Sequence, residues 1–115
     1  MDMQRYVASA LKDLVVDGQV IPTSFVARGE TNLPLVVFNV TSETGKVFWE
    51  DDEQIIKYNV MINIFSKGNF VKIKQEVMNR MLEHGFRRSS VDACIYLEDT
   101  EIYNQPMAFD FYYEK

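Results

Sequence analysis

Residues 58–86 read YNVMINIFSKGNFVKIKQEVMNRMLEHGF, and the fold class follows from how this stretch divides. Tyr58, Val60, Ile62 and Ile64 alternate with Asn59, Met61, Asn63 and Phe65. Side chains on a strand point to opposite faces in turn, so the first part is a strand with one continuous apolar face. Its other face mixes Asn with Met and Phe, too apolar for full solvation, and a second subunit is a natural cover. Ser66-Lys67-Gly68-Asn69 carries turn and cap chemistry, with Ser66 or Asn69 placed to accept from the free amides of a following helix. Phe70, Ile73, Val77, Met78, Met81 and Leu82 then recur at helical spacing. Each such side chain gains about 1.5–3 kcal/mol on burial, so the stripe faces a core whose other wall is the apolar strand face. His84 and Gly85 mark the helix end, and Phe86 returns inward.

Outward from this unit, Met3, Tyr6, Val7, Ala10, Leu11, Leu14 and Val15 repeat at helical intervals. They predict a first helix over about 2–16, stopped by Asp17-Gly18. Residues 19–26 read as extended, with Pro22 confining them to a sheet edge. A loop over 27–34 leads to an apolar strand at 35–40, a turn at 41–45, a short strand at 46–49 and an acidic turn at 50–53. Trp49, beside those acids, is expected at the sheet edge. Past the second helix, 91–97 predicts a strand, 98–105 an acidic loop, and 107–114 a closing strand. There Met107, Phe109, Phe111 and Tyr113 alternate with Ala108, Asp110, Tyr112 and Glu114. The expectation is one α+β domain over 1–115, a mostly antiparallel sheet packed on two amphipathic helices in the order α-β-β-β-β-α-β-β.

Composition narrows the functional classes. The chain has 115 residues, 47% of them hydrophobic, and a net charge of −5. That is a globular balance, and its acidity argues against simple wrapping of nucleic acid. No apolar run reaches the roughly 20 residues a membrane span needs, and the N-terminus does not read as a signal peptide. Cys94 is the single cysteine; flanked by Ala93 and Ile95, it is expected as a buried thiol in a cytosolic protein, with no basic neighbour to activate it. Charge is segregated. Lys67, Lys72, Lys74, Arg80, Arg87 and Arg88 crowd one segment, whereas Asp92, Glu98, Asp99 and Glu101 follow without a base. Glu50, Asp51, Asp52 and Glu53 form a second acidic cluster. Solvated loops explain such segregation; complementary patches between neighbouring copies explain it more sharply.

The residues give little basis for catalysis. A lone histidine leaves no two-histidine metal motif, and the glycines are scattered rather than gathered into a phosphate loop. No GxSxG elbow is present. Asp51, Asp52 and Glu53 with Lys57 lack the acid–x–Lys spacing of a metal-dependent nuclease. Phe109, Phe111, Tyr112 and Tyr113 match a base-stacking strand in composition only, and three of the four fall on the core or partner face. No catalytic residue, metal or cofactor is expected.

Five features together resemble the tail terminator (tail-completion) family of long-tailed bacteriophages and prophages. They are the short N-terminal helix, the strand LPLVVFNV (33–40) after a proline-containing loop, the long strand YNVMINIFS (58–66), the helix end MLEHGFRR (81–88), and the tail YLEDTEIYNQPMAFDFYY (96–113). The resemblance implies a non-catalytic virion protein of the tail or neck, assembled in the bacterial cytoplasm. Such proteins form a ring, commonly a hexamer, on the head-proximal end of the tail tube. The ring stops polymerisation, contacts the major tail tube protein, and offers a joining surface to the head–tail connector. DNA passes through its lumen without specific binding. On that reading the basic segment (Lys67, Lys72, Lys74, Arg80, Arg87, Arg88) and the acidic segment (Asp92, Glu98, Asp99, Glu101) are candidates for the two unlike patches a ring requires. Glu50–Glu53 is the candidate lumen or tube-facing rim. A neck or head-closure protein of the same assembly is the alternative, and a small α+β ligand-binding or enzymatic domain the third reading.

Overall fold

A computed structural model of the chain describes residues 2–25, 33–48, 53–68 and 70–114; for 42–48 and 53–54 it describes the backbone alone. Helix α1 (Met3–Ala10) is followed by three two-residue strands, β1 (Val15–Val16), β2 (Gln19–Val20) and β3 (Thr23–Ser24). Two 14-residue strands come next, β4 (Leu35–Phe48) and β5 (Glu53–Ser66). Helix α2 (Val71–Glu83) leads to β6 (Arg87–Val91), β7 (Ile95–Leu97) and β8 (Ile102–Glu114). The main sheet runs β3-β4-β5-β8-β6, and β7 also pairs with β8. Every pairing is antiparallel except β3 on β4. The expected α+β class and antiparallel-dominated sheet are both present.

The helix-side face is built in rows. Val36, Ile64 and Gln105 stand in register, as do Phe38, Ile62 and Met107, then Val40, Val60 and Phe109. Met3, Val7 and Ala10 of α1 and Ile73, Val77 and Met81 of α2 close over these rows in one core cluster. The strand-and-helix unit at 58–86 thus packs as its periodicities require. Leu82 is the exception in the predicted stripe: it stands 48% exposed, off the buried 73–77–81 line.

Helix α2 ends in paired reverse hydrogen bonds. The amide of Gly85 donates to the carbonyl of Leu82, and that of Phe86 to the carbonyl of Met81. This is a Schellman arrangement, and it holds Gly85 at φ +88°. A Cβ there would also lie 3.4 Å from the Phe111 ring. Gly85→Ala is therefore expected to cost about 1–2 kcal/mol, readable as a shift in the urea midpoint at unchanged slope.

Several sequence expectations are corrected, among them the acidic loop expected at 98–105, whose second half, from Ile102, is already β8. The first helix stops at Ala10, because Asp17-Gly18 is a hairpin turn rather than a helix stop. Both residues have positive φ (52° and 77°), as a two-residue type I′ connection between β1 and β2 demands. The turn expected at 41–45 is continuous strand: β4 passes through it with one register irregularity between Val40 and Ser42, so the predicted three-strand meander is a long two-strand arm. Ser66 does not cap α2; its hydroxyl accepts from the Gly68 amide, and Phe70 occupies the cap position without a side-chain bond. The strand at 91–97 is broken: β6 ends at Val91 and β7 begins at Ile95. Cys94, expected buried, lies half-buried in the gap. The Asn69 cap, the Trp49 edge position and the 27–32 loop fall outside the described residues.

Candidate assembly surfaces

The basic segment divides into two groups. Arg80 leans across to the end of α1, where its guanidinium donates to the carbonyl oxygens of Lys12 and Asp13, the second at 3.1 Å, while Nε pairs with Glu76 at 3.2 Å. These carbonyls belong to the turn after α1, outside helix and sheet, and Arg80 supplies them with donors. Lys72 Nζ meets both carboxylate oxygens of Asp17 at 3.1 Å across exposed surface. Arg80 and Lys72 therefore tie α2 to the first 20 residues of their own chain. Arg80→Met is expected to cost about 1.5–3 kcal/mol in thermal or urea unfolding, whereas Lys72→Met, at an exposed pair, stays within about 1 kcal/mol.

The remaining cations face outward. Lys67 is exposed and Lys74 half-buried. Arg87 and Arg88 are exposed on β6. The acids Asp92, Glu98, Asp99 and Glu101 are all exposed, the last three in the turn between Leu97 and Ile102. The structure brings Arg87, Arg88 and this acidic turn to the same margin of the sheet, along β8. Of the second acidic cluster, Glu50, Asp51 and Asp52 lie outside the described residues. Glu53 opens β5 opposite Phe48, at the far end of the β4–β5 arm. The molecule is elongated, 54 × 28 × 22 Å.

The sheet face away from the helices carries half-buried Lys57, Asn59, Met61, Asn63 and Phe65. Lys57 Nζ lies 3.8 Å from Asp110, and both Lys57 and Arg87 stand over the Tyr112 ring, at 6.0 and 5.6 Å. The buried oxygens Asn59 Oδ1, Asn104 Oδ1 and Asp110 Oδ1 have no hydrogen-bond partner among the described residues. This is a polar, semi-covered surface, in keeping with the mixed alternation of β5.

Two features escaped the sequence reading. Gln105 is 2% exposed, and its Nε2 donates to the carbonyls of Asp92 at 2.7 Å and Pro106 at 2.9 Å. It thus pins Asp92, the first residue of the break after β6, to β8. Its parity with Met107 and Phe109 in the sequence was the available signal. The second is the exposure of β7, where Ile95, Tyr96 and Leu97 are 50%, 47% and 42% exposed. Apolar composition alone suggested burial there; edge position decides otherwise.

No helix among the described residues is long and apolar enough to cross a membrane. The architecture is that of an α+β protein with a long antiparallel arm. No known family model matches the chain, and no curated protein matches its sequence. In fold it is similar to a chain from the virion of a native gene transfer agent particle. The TM-score is 0.64 at 12% identity, over 98% of this chain and 95% of that one.

Proposed function

We propose that this chain is a structural virion protein of the tail-terminator kind: a ring, commonly of six copies, seated on the head-proximal end of a tail tube. The observation carrying this reading is the likeness of fold to a virion chain across nearly the full length of both. The same class of protein was expected from the order of elements in the sequence. In this role the chain binds copies of itself, the major tail tube protein and the head–tail connector, and performs no catalysis. Lys67, Lys74, Arg87 and Arg88 are the cations available to the ring contact, with Asp92, Glu98, Asp99 and Glu101 as their counterparts. Glu50–Glu53, of which Glu53 opens β5 at the far end of the long arm, are assigned the lumen-facing or tube-facing rim. Like charge there disfavours adhesion of passing DNA.

The test is assembly. Purified protein added to polymerising tail tube subunits is expected to give tubes of bounded length carrying a ring at one end in negative stain. Tubes that grow unchanged, with no end-bound density, contradict the reading.

A further inference from the structure

We infer that the sheet margin made by β6 and β7 is self-complementary: it pairs antiparallel with the same margin of a second copy about a two-fold axis, and the free chain dimerises through it. Both strands lie on one side of β8, and no strand among the described residues flanks them on the other. From Arg87 to Leu97 every residue is exposed except Val91 and Cys94, which are half-buried. Unpaired strand edges are templates for another chain. This contact does not rest on the ring reading.

Charge chooses the occupant. Arg87 and Arg88 begin the margin, opposite Asp110 and Phe109 of β8. Glu98, Asp99 and Glu101 follow its end, where Leu97 stands opposite Ile102. The ends are eight β8 residues apart, about 27 Å, so the two charge groups occupy opposite ends of a single edge. A second copy laid antiparallel on that edge brings the arginines of each copy to the acidic turn of the other. Laid parallel, like charge meets like at both ends. A contact that uses one patch twice is isologous and closes at two copies.

The register follows from β8. Val91 lies opposite Met107, the Asp92 amide donates to the carbonyl of Pro106, and Ile95 lies opposite Asn104. Ala93 and Cys94 therefore share the single step at Gln105. A two-fold axis that pairs coplanar strands stands normal to the sheet and keeps each side chain on its own face. It passes at the height of one β8 residue rather than between two. At Pro106 it sets Asp92 against its own copy, a like-charge pair. At Gln105 it sets Val91 against Tyr96 and Ser90 against Leu97 of the second copy, brings Arg88 to the acidic turn, and places the two Cys94 segments across the axis. Axes at Met107 or Asn104 either part the arginines from the acids or shorten the overlap. The contact involves eleven residues a side, fewer than the roughly 20–30 of a stable complex, so the dimer is weak and exchanges. Arg87, Arg88 and the acids are also the charges assigned to the ring contact, so dimer and ring exclude each other.

Sedimentation velocity of the chain alone, under reducing conditions and at low salt, tests this. The wild type is expected to show a monomer–dimer equilibrium. R87E/R88E and E98K/D99K/E101K are each expected to weaken it by at least about tenfold. An equimolar mixture of the two variants restores the dimer, because reversed charges then meet their complement at both ends. R5E/K12E, the same charge change made outside the margin, leaves it as in wild type. Mild oxidation gives a disulfide dimer through Cys94, formed at least about tenfold more slowly in R87E/R88E, whose thiol is untouched. All these substitutions alter exposed side chains and are expected to keep the wild-type unfolding midpoint, so a lost dimer is not a lost fold. A wild type that stays monomeric at every concentration overturns the inference. So does a dimer indifferent to both charge sets. Species larger than two copies that the mixture restores in place of a dimer overturn the two-fold contact and leave the ring reading standing.

Discussion

Phe109→Ala is expected to lower stability by about 3–5 kcal/mol. Phe109 is fully buried in the middle of β8, opposite Val60 on one side and Arg88 of β6 on the other. It sits on the helix-facing side, in the core cluster with Val77 and Met81 of α2. Truncation removes a ring from the centre of the cluster and leaves a cavity that the long strands cannot collapse into without losing register. Against a total stability of about 5–15 kcal/mol for a domain of this kind, the loss corresponds to a melting temperature lower by roughly 10–25 °C. Calorimetry reads it directly. Leu82→Ala, at a position 48% exposed on α2, should move the midpoint little. Comparable shifts for the two would mean the packing is assigned to the wrong helix face.

Gln105→Glu is expected to be nearly as damaging, and in a pH-dependent way. The amide Nε2 that now donates to the carbonyls of Asp92 and Pro106 becomes a carboxylate oxygen, which can only accept. A carboxylate there is a buried charge without a counter-ion, which costs on the order of the 3–5 kcal/mol seen when a buried ion pair loses one partner. The alternative open to the variant is to keep its proton, because the neutral acid can still donate once. Its folded-state pKa is therefore raised above the unfolded value of about 4.3. The sign follows: the variant comes closest to wild type below that pH, and its deficit grows as pH rises through the folded-state value. Gln105→Leu lacks the titration and should show a loss of about 1–3 kcal/mol that does not vary with this group. Urea melts of both variants between acidic and neutral pH distinguish them. In both, amide exchange at Asp92 and through the break after β6 should accelerate, because the side chain pins Asp92 to β8.

How much of this was legible beforehand depends on whether the deciding interaction was local. The apolar parity of β5 and β8 and the helical spacing of Ile73, Val77 and Met81 are local signals, and the core follows them. The termination of α2 was likewise written in Gly85-Phe86. The first helix was misjudged because Leu11 and Leu14 keep helical spacing yet are buried from a turn and a hairpin. Arg80, 67 residues from Asp13, completes that geometry. The 41–45 segment carries turn-like residues, but its pairing with residues 56–59 of β5 extends the strand through them. Exposure of Ile95, Tyr96 and Leu97 depends on which side of β8 they occupy, and that is a matter of topology. Among the candidate surface residues, charge sign was readable, but internal use was not. Arg80 and Lys72 are engaged within their own chain, while Arg87, Arg88 and the acidic turn share a sheet margin.

On the proposed reading this protein ends a tail tube. Immunoelectron microscopy of headless tails from the cells that encode it tests this most directly, with an antibody raised against the purified chain. Label is expected at one end of each finished tail, at the end that later receives the head. Label along the tube, or on heads and absent from headless tails, would contradict it.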